Sequence, residues 1–489
     1  MATYHVKKTG NDTTGDGSDS LPWLTIGKGV TVMTGGDTLE VHTGTYVETV
    51  TCSDAGSAGA PTIIQAHGTT GSYDVVTVAP TSGHGFYIPG KAYVTIRGFV
   101  VDGTTPATGR FGIRFDAASH NLIVEDCEVK NFCMGIIGAH TGTPKVGSNN
   151  VTIRRNSIHN NGVASEGQLD HGIYSDTGIN WTIQYNLVYS NTGYGIHLYP
   201  GTTNSTVSWN ICHDNAASDN GNGEANILVS NTGHTIERNI CYGIGDAAGM
   251  GIRVQYGDAD PANIELRHNT IGASGTYGIY IAAGCTGITL KNNLSVGSTT
   301  PISNNAGAGC VLTNNVTSGT PSALWTNSGA GDYTLKAGAA VLNTGTDIGQ
   351  SFNGAAPDQG AAEAFVFLSA SVENSATTTL VVNFTNNVTA NLLPASSITG
   401  FTSKKNGSNN VITAASRSGN NTVLLTLTNA IAQGDTVLVS YSGGNLTDSS
   451  LFGYTINQPY IQTLTDQAVT NNVVVPDLAP AAPTGLTVV

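Results

Sequence analysis

Seven asparagines recur at one fixed place in a repeated phrase, and this recurrence limits the fold more than any other feature. The phrases are NVTIRRN, NWTIQYN, NSTVSWN, GHTIERN, NIELRHN, GITLKNN and CVLTNN, ending at Asn156, Asn186, Asn210, Asn239, Asn269, Asn293 and Asn315. Successive asparagines lie 22 to 30 residues apart. Such a period, built from short strands and Asn/Gly turns without a helical pattern, predicts a solenoid of stacked coils.

Apolar residues occupy fixed columns within this repeat. One column holds Ile153, Ile183, Val207, Ile236, Leu266, Leu290 and Leu312, and another holds Ile158, Val188, Cys212, Cys241 and Ile271. Such columns point inward in a parallel β-helix, where each strand pairs with its copy one coil later at roughly 4.8 Å. We therefore predict an all-β fold with a right-handed parallel β-helix. The asparagines are expected to stack at a corner and to adopt the left-handed backbone that a tight bend needs.

A second repeated pair sets the register of the coils. It recurs once per coil between the asparagines, as Gly112-Ile113, Gly135-Ile136, Gly172-Ile173, Gly195-Ile196, Asn226-Ile227, Gly251-Ile252 and Gly278-Ile279. Gly85-Phe86 fits an earlier coil, so the repeat runs roughly from Tyr73 to Val316.

Changes of pattern divide the chain into four segments. We predict an N-terminal cap and first coils over residues 1–72, the β-helix over 73–363, and a β-sandwich over 364–474. The sandwich prediction depends on longer alternating strands such as TTTLVVNFTNNV and NTVLLTLTNAI. Residues 475–489 look like a Pro/Ala linker and the start of a further C-terminal module, in which case the natural chain is longer.

Charge and composition exclude several classes of partner. The 19 Lys and Arg residues against 33 acids give a net charge of -14, which argues against nucleic acid. No apolar run approaches the length of a membrane span. Seven cysteines argue against a disulfide framework, and Cys212 and Cys241 are expected in the core. Abundant Thr, Ser, Asn and Gly indicate a secreted, extracellular protein, with the signal peptide absent from this sequence.

Several phrases carry a resemblance to known families. YHVKKTGNDTTGDGSDSLPWLTIGKGV and PDQGAAE resemble the opening and closing segments of secreted bacterial β-helix proteins, and the repeat resembles the pectate-lyase-like superfamily. The segment after residue 363 resembles bacterial immunoglobulin-like modules. The opening phrase contains Asp12, Asp16 and Asp19, whose spacing is not that of an EF-hand loop. Ca²⁺ binding there and a plain turn stay open alternatives, and no other metal or cofactor is predicted.

Loop lengths locate a groove on the outer face. The number of residues from each repeated asparagine to the next repeated Gly-Ile or Asn-Ile pair varies between coils. It is 16 from Asn156 to Gly172, 9 from Asn186 to Gly195 and 16 from Asn210 to Asn226. The long loops NNGVASEGQLD and DNAASDNGNGE therefore flank the short coil of Gly195. We expect a polysaccharide to bind along this face.

Period-2 alternation selects the outward side chains around that coil. The predicted catalytic residues are His197, Tyr174, Tyr199, Arg253 and His171. The predicted substrate-binding residues are Asp170, Asp176, Tyr194, Glu224, Gln255 and Arg114. Histidine and tyrosine can move protons beside a uronate carboxylate that an arginine neutralises, so the set favours a polysaccharide lyase acting by β-elimination.

Two alternatives from other classes remain open. Asp170 and Glu224 lie two coils apart, roughly 9 to 10 Å by the strand spacing, which is near the separation an inverting glycoside hydrolase needs. The ladders of aromatic and polar side chains are equally typical of a non-catalytic polysaccharide-binding adhesin or phage tail-type protein, because fold alone does not fix function.

Overall fold

The computed structural model describes residues 1–69, 72–116, 118–163, 165, 170–217, 223–336, 338–350, 352, 355–361, 367–384, 388–389, 398–418, 422–441, 447–448 and 464–474. These residues form two compact units, one from residue 1 to 361 and the other from residue 367 to 474. Each unit has its own hydrophobic core. The predicted boundary at 363/364 and the predicted linker at 475–489 lie outside the described residues.

Three parallel sheets wrap around the core of the first unit. The first sheet consists of Thr3–Val6, Thr38–Val41, Thr62–Ala66, Val94–Arg97, His120–Glu125, Ser148–Arg154, Thr182–Gln184, Thr206–Ser208, Thr235–Glu237, Glu265–Arg267, Ile288–Lys291 and Cys310–Thr313. The second consists of Gly44–Tyr46, Val76–Val78, Val100–Asp102, Glu128–Lys130, Ser157–His159, Leu187–Tyr189, Ile211–Asn215, Ile240–Ile244, Thr270–Ile271 and Leu294–Ser295. The third consists of Val50–Thr51, Phe86–Pro89, Phe111–Asp116, Met134–Ala139, Ile173–Ile179, Ile196–Thr203, Ala225–Val229, Met250–Val254, Tyr277–Ile281 and Thr300–Asn304.

The chain visits the three sheets in turn, so each coil adds one strand to each sheet. This arrangement is a right-handed parallel β-helix, which confirms the predicted fold class. The predicted register is also confirmed, because Ile173 pairs with Ile196 and Ile196 with Ile227. Except for Leu312, both inward columns lie in the core, where Cys212 and Cys241 are fully buried free thiols.

One member of the first column departs from its predicted burial. Leu312 pairs in register with Leu290, as predicted, but its side chain is 45% exposed. Cys310–Thr313 is the last strand of the first sheet, so no later strand of that sheet covers Leu312.

The asparagine ladder is confirmed by its hydrogen bonds. The Nδ2 of Asn186 donates to the Oδ1 of Asn210 at 3.0 Å, and Asn210 repeats the contact to Asn239 at 3.0 Å. The backbone N–H of Asn186 donates to the same Oδ1 at 3.0 Å. The stack continues without a break from Asn156 to Asn315. Each side chain therefore satisfies a buried backbone donor at the corner as well as its neighbour in the ladder.

The prediction that the ladder asparagines adopt a left-handed backbone is wrong. The positive φ belongs to the residue before each, including Arg155 (57°), Tyr185 (58°), Trp209 (58°), Arg238 (54°) and His268 (52°). The asparagine itself does not adopt the left-handed conformation, because its backbone N–H and its side-chain amide both donate to the asparagine of the next coil. Bulky residues rarely adopt this conformation, so the ladder contacts offset the backbone cost.

A second asparagine ladder, which the sequence analysis missed, lies at the next corner. Asn161 donates to Asn191 at 3.0 Å, Asn191 to Asn215 at 2.9 Å, and Asn215 to Asn226 at 2.8 Å. Its first three members each follow a member of the first ladder by five residues. This fixed spacing of five residues could have identified the second ladder from the sequence.

A short helix and a loop close the N-terminal end of the first unit. The helix Ile26–Val32 is capped by Thr25, which accepts from the backbone N–H of Lys28, and it buries Ile26, Gly29 and Val30. The three aspartates of the calcium hypothesis have separate partners. Asp12 accepts from Thr25 Oγ1 at 2.7 Å, Asp16 from the N–H of Ser18 at 2.9 Å, and Asp19 pairs with Lys7 at 2.7 Å.

The remaining elements of the first unit are short. They are the hairpin Gly68–Thr69 and Ser72–Tyr73, the 3₁₀ turns Gly307–Gly309 and Ser328–Ala330, the helix Pro321–Leu324, and the antiparallel pair Trp325–Asn327 and Asp332–Leu335. None of the helices in the described part of the chain has the length and apolar character of a membrane span.

The second unit is a separate β domain. Its strands are Phe367–Glu373, Thr379–Phe384, Val388–Thr389, Phe401–Lys405, Ser408–Asn409, Ile412–Arg417, Thr422–Leu427, Val437–Tyr441, Thr447–Asp448 and Leu464–Asn472. The pairings are antiparallel except that of Phe367–Glu373 with Leu464–Asn472. The immunoglobulin-like character of this domain stays a prediction.

Candidate functional site

The third sheet places the predicted groove residues in one outward row. Tyr174 pairs with His197, His197 with Leu228, and Leu228 with Arg253. The row follows from alternation along each strand, because the preceding isoleucines all point into the core. Four consecutive coils therefore contribute side chains to the same surface.

A cleft of about 790 Å³ opens over this row. Its lining residues are Thr108, Gly109, Phe111, Cys133, Met134, Asp170, His171, Tyr174, Tyr194, His197, Tyr199, Arg253, Gln255 and Tyr256. The structure thus brings together all five predicted catalytic residues with Asp170, Tyr194 and Gln255. It does not place Asp176, Glu224 or Arg114 in the lining.

Two histidines from adjacent coils form a hydrogen-bonded pair in the cleft wall. Nδ1 of His197 lies 3.0 Å from Nε2 of His171, and the rings meet edge to face. His197 is 6% exposed and His171 is 3% exposed. In the described part of the chain, no group hydrogen-bonds Nε2 of His197. When Nδ1 of His197 donates to His171, this Nε2 carries the lone pair and can accept a proton.

Three tyrosines surround the histidine pair. The ring of Tyr194 stacks on His197 at 4.2 Å, Tyr199 stacks at 5.1 Å, and Tyr174 lies 5.3 Å away between centroids. Tyr194 also packs on Leu228, forming a small apolar cluster outside the main core. Tyr174 and Tyr199 are half-buried, so a ligand in the cleft would meet these rings before the histidines.

Burial controls the protonation of these rings. It lowers the pKa of His171 to about 3 and, together with the positive charge of nearby groups, holds the pKa of His197 well below its ordinary value. Burial also raises the pKa of Tyr194 to about 12 and that of Tyr174 further. Near neutral pH the two histidines are therefore neutral imidazoles, which can accept a proton, and Tyr174 and Tyr194 keep their hydroxyl protons.

Arg253 fastens one of the flanking loops to the cleft. Its Nη1 donates to the carbonyl oxygen of Gly223 at 2.6 Å, and its guanidinium lies over the ring of Tyr280 at 5.9 Å. The backbone N–H of Gly223 in turn donates to Asp246 at 2.8 Å. Arg253 therefore supplies a cation at the cleft wall while it holds the end of a long loop.

Glu224 follows Gly223 at the end of this loop. It is 1% exposed and next to Asp246. Burial by itself would raise the pKa of Asp246, but hydrogen bonds from Glu224 and from backbone N–H groups hold that pKa below its usual range. A carboxyl group in such a contact is a structural anchor for the loop end.

The other predicted acids also have partners in the structure. Asp170 is buried in the cleft wall, where it accepts from the backbone N–H of Val163 at 2.6 Å and from Cys133 Sγ at 2.9 Å. Asp176 pairs with His140 outside the cleft lining. Arg114 belongs to a separate cluster, where it pairs with Asp116 at 3.1 Å.

The sequence analysis missed part of the cleft wall. Phe111 and Met134 come from earlier coils and occupy the position before the glycine, as His171 and Tyr194 do, so the repeat register could have identified them. Tyr256, 64% exposed, lies beyond the end of its strand, where alternation no longer predicts direction. Of the two flanking loops, residues 164, 166–169 and 218–222 lie outside the described residues.

Comparison with known proteins agrees with this architecture. Residues 39–212 match the family described as right handed beta helix region, and residues 361–445 match the putative flagellar system-associated repeat. No curated protein sequence matches the chain.

Two solved structures are similar to this chain. Pectate lyase Pel9A is similar with a TM-score of 0.56 and 17% identity, over 74% of this chain and 96% of that one. An alginate lyase from Paenibacillus sp. str. FPU-7 aligns with a TM-score of 0.46 and 16% identity, over 65% of this chain and 98% of that one. The similarity to Pel9A is a likeness of fold.

Proposed function

We propose that the chain is a polysaccharide lyase that cleaves an acidic, uronate-containing polysaccharide by β-elimination in the cleft around His197. The observation that carries the proposal is the buried, unprotonated His171–His197 pair beside tyrosines and Arg253. The likeness in fold to a pectate lyase supports an acidic polysaccharide as substrate.

The chemistry requires three groups. The C5 proton of the uronate passes to Nε2 of His197, the C5–H electrons form the C4=C5 double bond, and the C4–O bond breaks. Tyr174 or Tyr199 donates a proton to the leaving oxygen. Arg253 faces the carboxylate and stabilises the negative charge that develops when C5 loses its proton. His171 positions His197 by accepting from its Nδ1.

The depth of His197 adds one step to this reaction. Nε2 of His197 is buried and the rings of Tyr194 and Tyr199 stack against His197, so a sugar can reach Nε2 only when side chains around it move. The tyrosine rings provide flat apolar surfaces against which sugar rings pack, so binding energy from neighbouring sugars is available for this movement.

Hydrolysis by Asp170 and Glu224 has weaker support. Glu224 is outside the cleft lining and hydrogen-bonds Asp246, and Asp170 already accepts two hydrogen bonds. Non-catalytic binding remains the second candidate, because the aromatic lining by itself suits a sugar chain.

The substrate class can be tested with one polymer in two forms. The full chain is incubated with a panel of polyuronates and with the same polymers after reduction of the carboxyl groups to neutral sugars, and chain length is followed by size-exclusion chromatography. We expect a polyuronate to be shortened and its reduced form to stay intact, because only the carboxylate makes the C5 proton acidic. Cleavage of the reduced form would exclude β-elimination, and binding without shortening would leave only a binding protein.

A further inference from the structure

Away from the cleft, three histidines and several carboxylates crowd together at the N-terminal end of the first sheet. His5 and Glu40 are partners in register on the first two strands; His42 follows the end of the second strand and His67 follows the end of the third. The rings of His42 and His67 stack at 4.1 Å. The side chains of His5, Glu40 and His42 are only 17 to 21% exposed.

We propose that His5, Glu40 and His42, with Asp19, bind one divalent transition-metal ion of the Zn²⁺ type. Nδ1 of His5 lies 3.1 Å from Nε2 of His42 and 3.9 Å from the Glu40 carboxylate. The Asp19 carboxylate lies 3.6 Å from Nδ1 of His5 and 3.8 Å from Nε2 of His42. A tetrahedral ion with ligands at about 2.0 to 2.2 Å needs ligand atoms separated by roughly 3.3 to 3.6 Å, so small side-chain shifts suffice.

Neighbouring residues orient these ligand atoms. Gln65 donates to Oε1 of Glu40 at 3.0 Å, and Oε2 of Glu40 lies 3.9 Å from Nδ1 of His5 and 3.7 Å from Nε2 of His67. Lys7 contacts Asp19 at 2.7 Å and compensates its charge while the site is empty. Outer contacts of this kind are typical of metal sites.

The proposed ion would have a structural effect. His5 lies on the first strand of the sheet, Glu40 and His42 belong to the second coil, and Asp19 belongs to the loop between them. An ion joining all three would fasten the N-terminal loop to the first strand, where the N–H of His5 already donates to Gly17 at 2.8 Å and its carbonyl oxygen accepts from Trp23 at 3.0 Å.

Isothermal titration of the untagged full chain with ZnCl₂ tests the site. We expect one Zn²⁺ per chain and a higher melting temperature with Zn²⁺ than with a chelator. His5→Ala and the isosteric Glu40→Gln should each weaken binding at least about 100-fold, since loss of an outer-shell partner already costs up to that much. His120→Ala, at a first-sheet histidine that contacts Tyr93 and Asn121, should bind as wild type does.

A neighbouring group makes the assignment specific. His67 and Asp74 form a second cluster with His42, whose Nδ1 faces Asp74 while its Nε2 faces His5. His67→Ala should therefore keep Zn²⁺ binding if the ion is bound by Nε2 of His42. Lys7→Met should tighten binding, because it frees Asp19. Absence of Zn²⁺ binding in the wild type, binding of Ca²⁺ in its place, or loss of binding in His67→Ala but not in His5→Ala would overturn the proposal.

Discussion

His197 lies below the surface tyrosines, and this depth determines both its chemistry and its cost to stability. A buried imidazole stays unprotonated, which suits a proton acceptor. The same burial penalises the fold whenever the solution favours protonation. Both consequences can be measured at single residues.

Replacement of His197 by glutamine should remove the proton acceptor and keep a polar contact to His171. We expect turnover to fall by at least about 100-fold, the lower end of general acid–base contributions, with little change in melting temperature. Asp170→Asn keeps an acceptor for the Val163 N–H and should lose much less activity. Steady-state kinetics and thermal melts of both variants check this. An inactive Asp170→Asn beside an active His197→Gln would instead favour hydrolysis.

Stability should fall when the pH is lowered from 7 to 5. The pKa of His171 is lowered from 6.5 to about 3, so between these values the unfolded chain binds a proton that the folded chain does not. Stability therefore rises with pH in this window, by about 1.4 kcal/mol per pH unit for each such histidine. His171 alone should cost about 2 kcal/mol at pH 5.

Urea unfolding at pH 7 and pH 5 measures this effect, and His171→Gln should flatten the dependence. Carboxylates with a lowered pKa do not interfere with this measurement. The pKa values of Glu125 and Glu128 are lowered from 4.5, so these residues lose their contribution to stability only below about pH 4.5. Equal stability of the wild type at both pH values would show that His171 is not buried as described.

At the scale of elements, the two asparagine ladders hold the corners of the coils. Asn210 accepts from the backbone N–H and the Nδ2 of Asn186, and donates to Ile183, Ser208 and Asn239. Removal of this amide would leave buried backbone groups without partners, and each costs about 1 to 3 kcal/mol.

Asn210→Ala should therefore destabilise the β-helix by about 2 to 4 kcal/mol. Asn315→Ala is the matched control, because Asn315 ends the ladder and is only partly buried. Chemical denaturation of the two variants should rank Asn210 as the more costly. Equal losses would mean that the ladder bonds in the core contribute no more than the terminal one.

The repeat predicted the coils, the register and the outward row because a β-helix translates sequence period directly into position. The repeat did not predict features that depend on contacts with residues outside it. Leu312 keeps its register but lacks a covering strand, and the left-handed bend falls one residue before each asparagine. Alternation gave the direction of His197 but not its burial, which accompanies the stacking of the Tyr194 and Tyr199 rings against it.

The site prediction met the same limit. Alternation placed His197 and Arg253 on one face, and the cleft contains both. It could not tell that Glu224 is buried beside Asp246, because contacts at the ends of loops do not follow the period of the repeat. The burial of side chains and the contacts made by loops therefore could not be predicted from the period of the sequence.

At the scale of the whole molecule, the two hydrophobic cores are separate clusters. A chain ending at Glu363 should therefore fold, melt cooperatively and keep its activity on soluble polysaccharide. Circular dichroism and the activity assay on this truncation check the prediction, with the full chain as control. A truncated chain that is unfolded would show that the β-helix depends on the C-terminal domain. The extracellular location and the further C-terminal module stay predictions.

The most direct test of the central claim is to count double bonds and new chain ends in the same reaction. The full chain acts on the polyuronate that it shortens, while ultraviolet absorbance reports unsaturated sugars and a reducing-end assay reports cleavage. β-Elimination predicts one double bond for each new reducing end, at a rate that His197→Gln lowers at least about 100-fold. Reducing ends that accumulate without absorbance would contradict the account and establish hydrolysis.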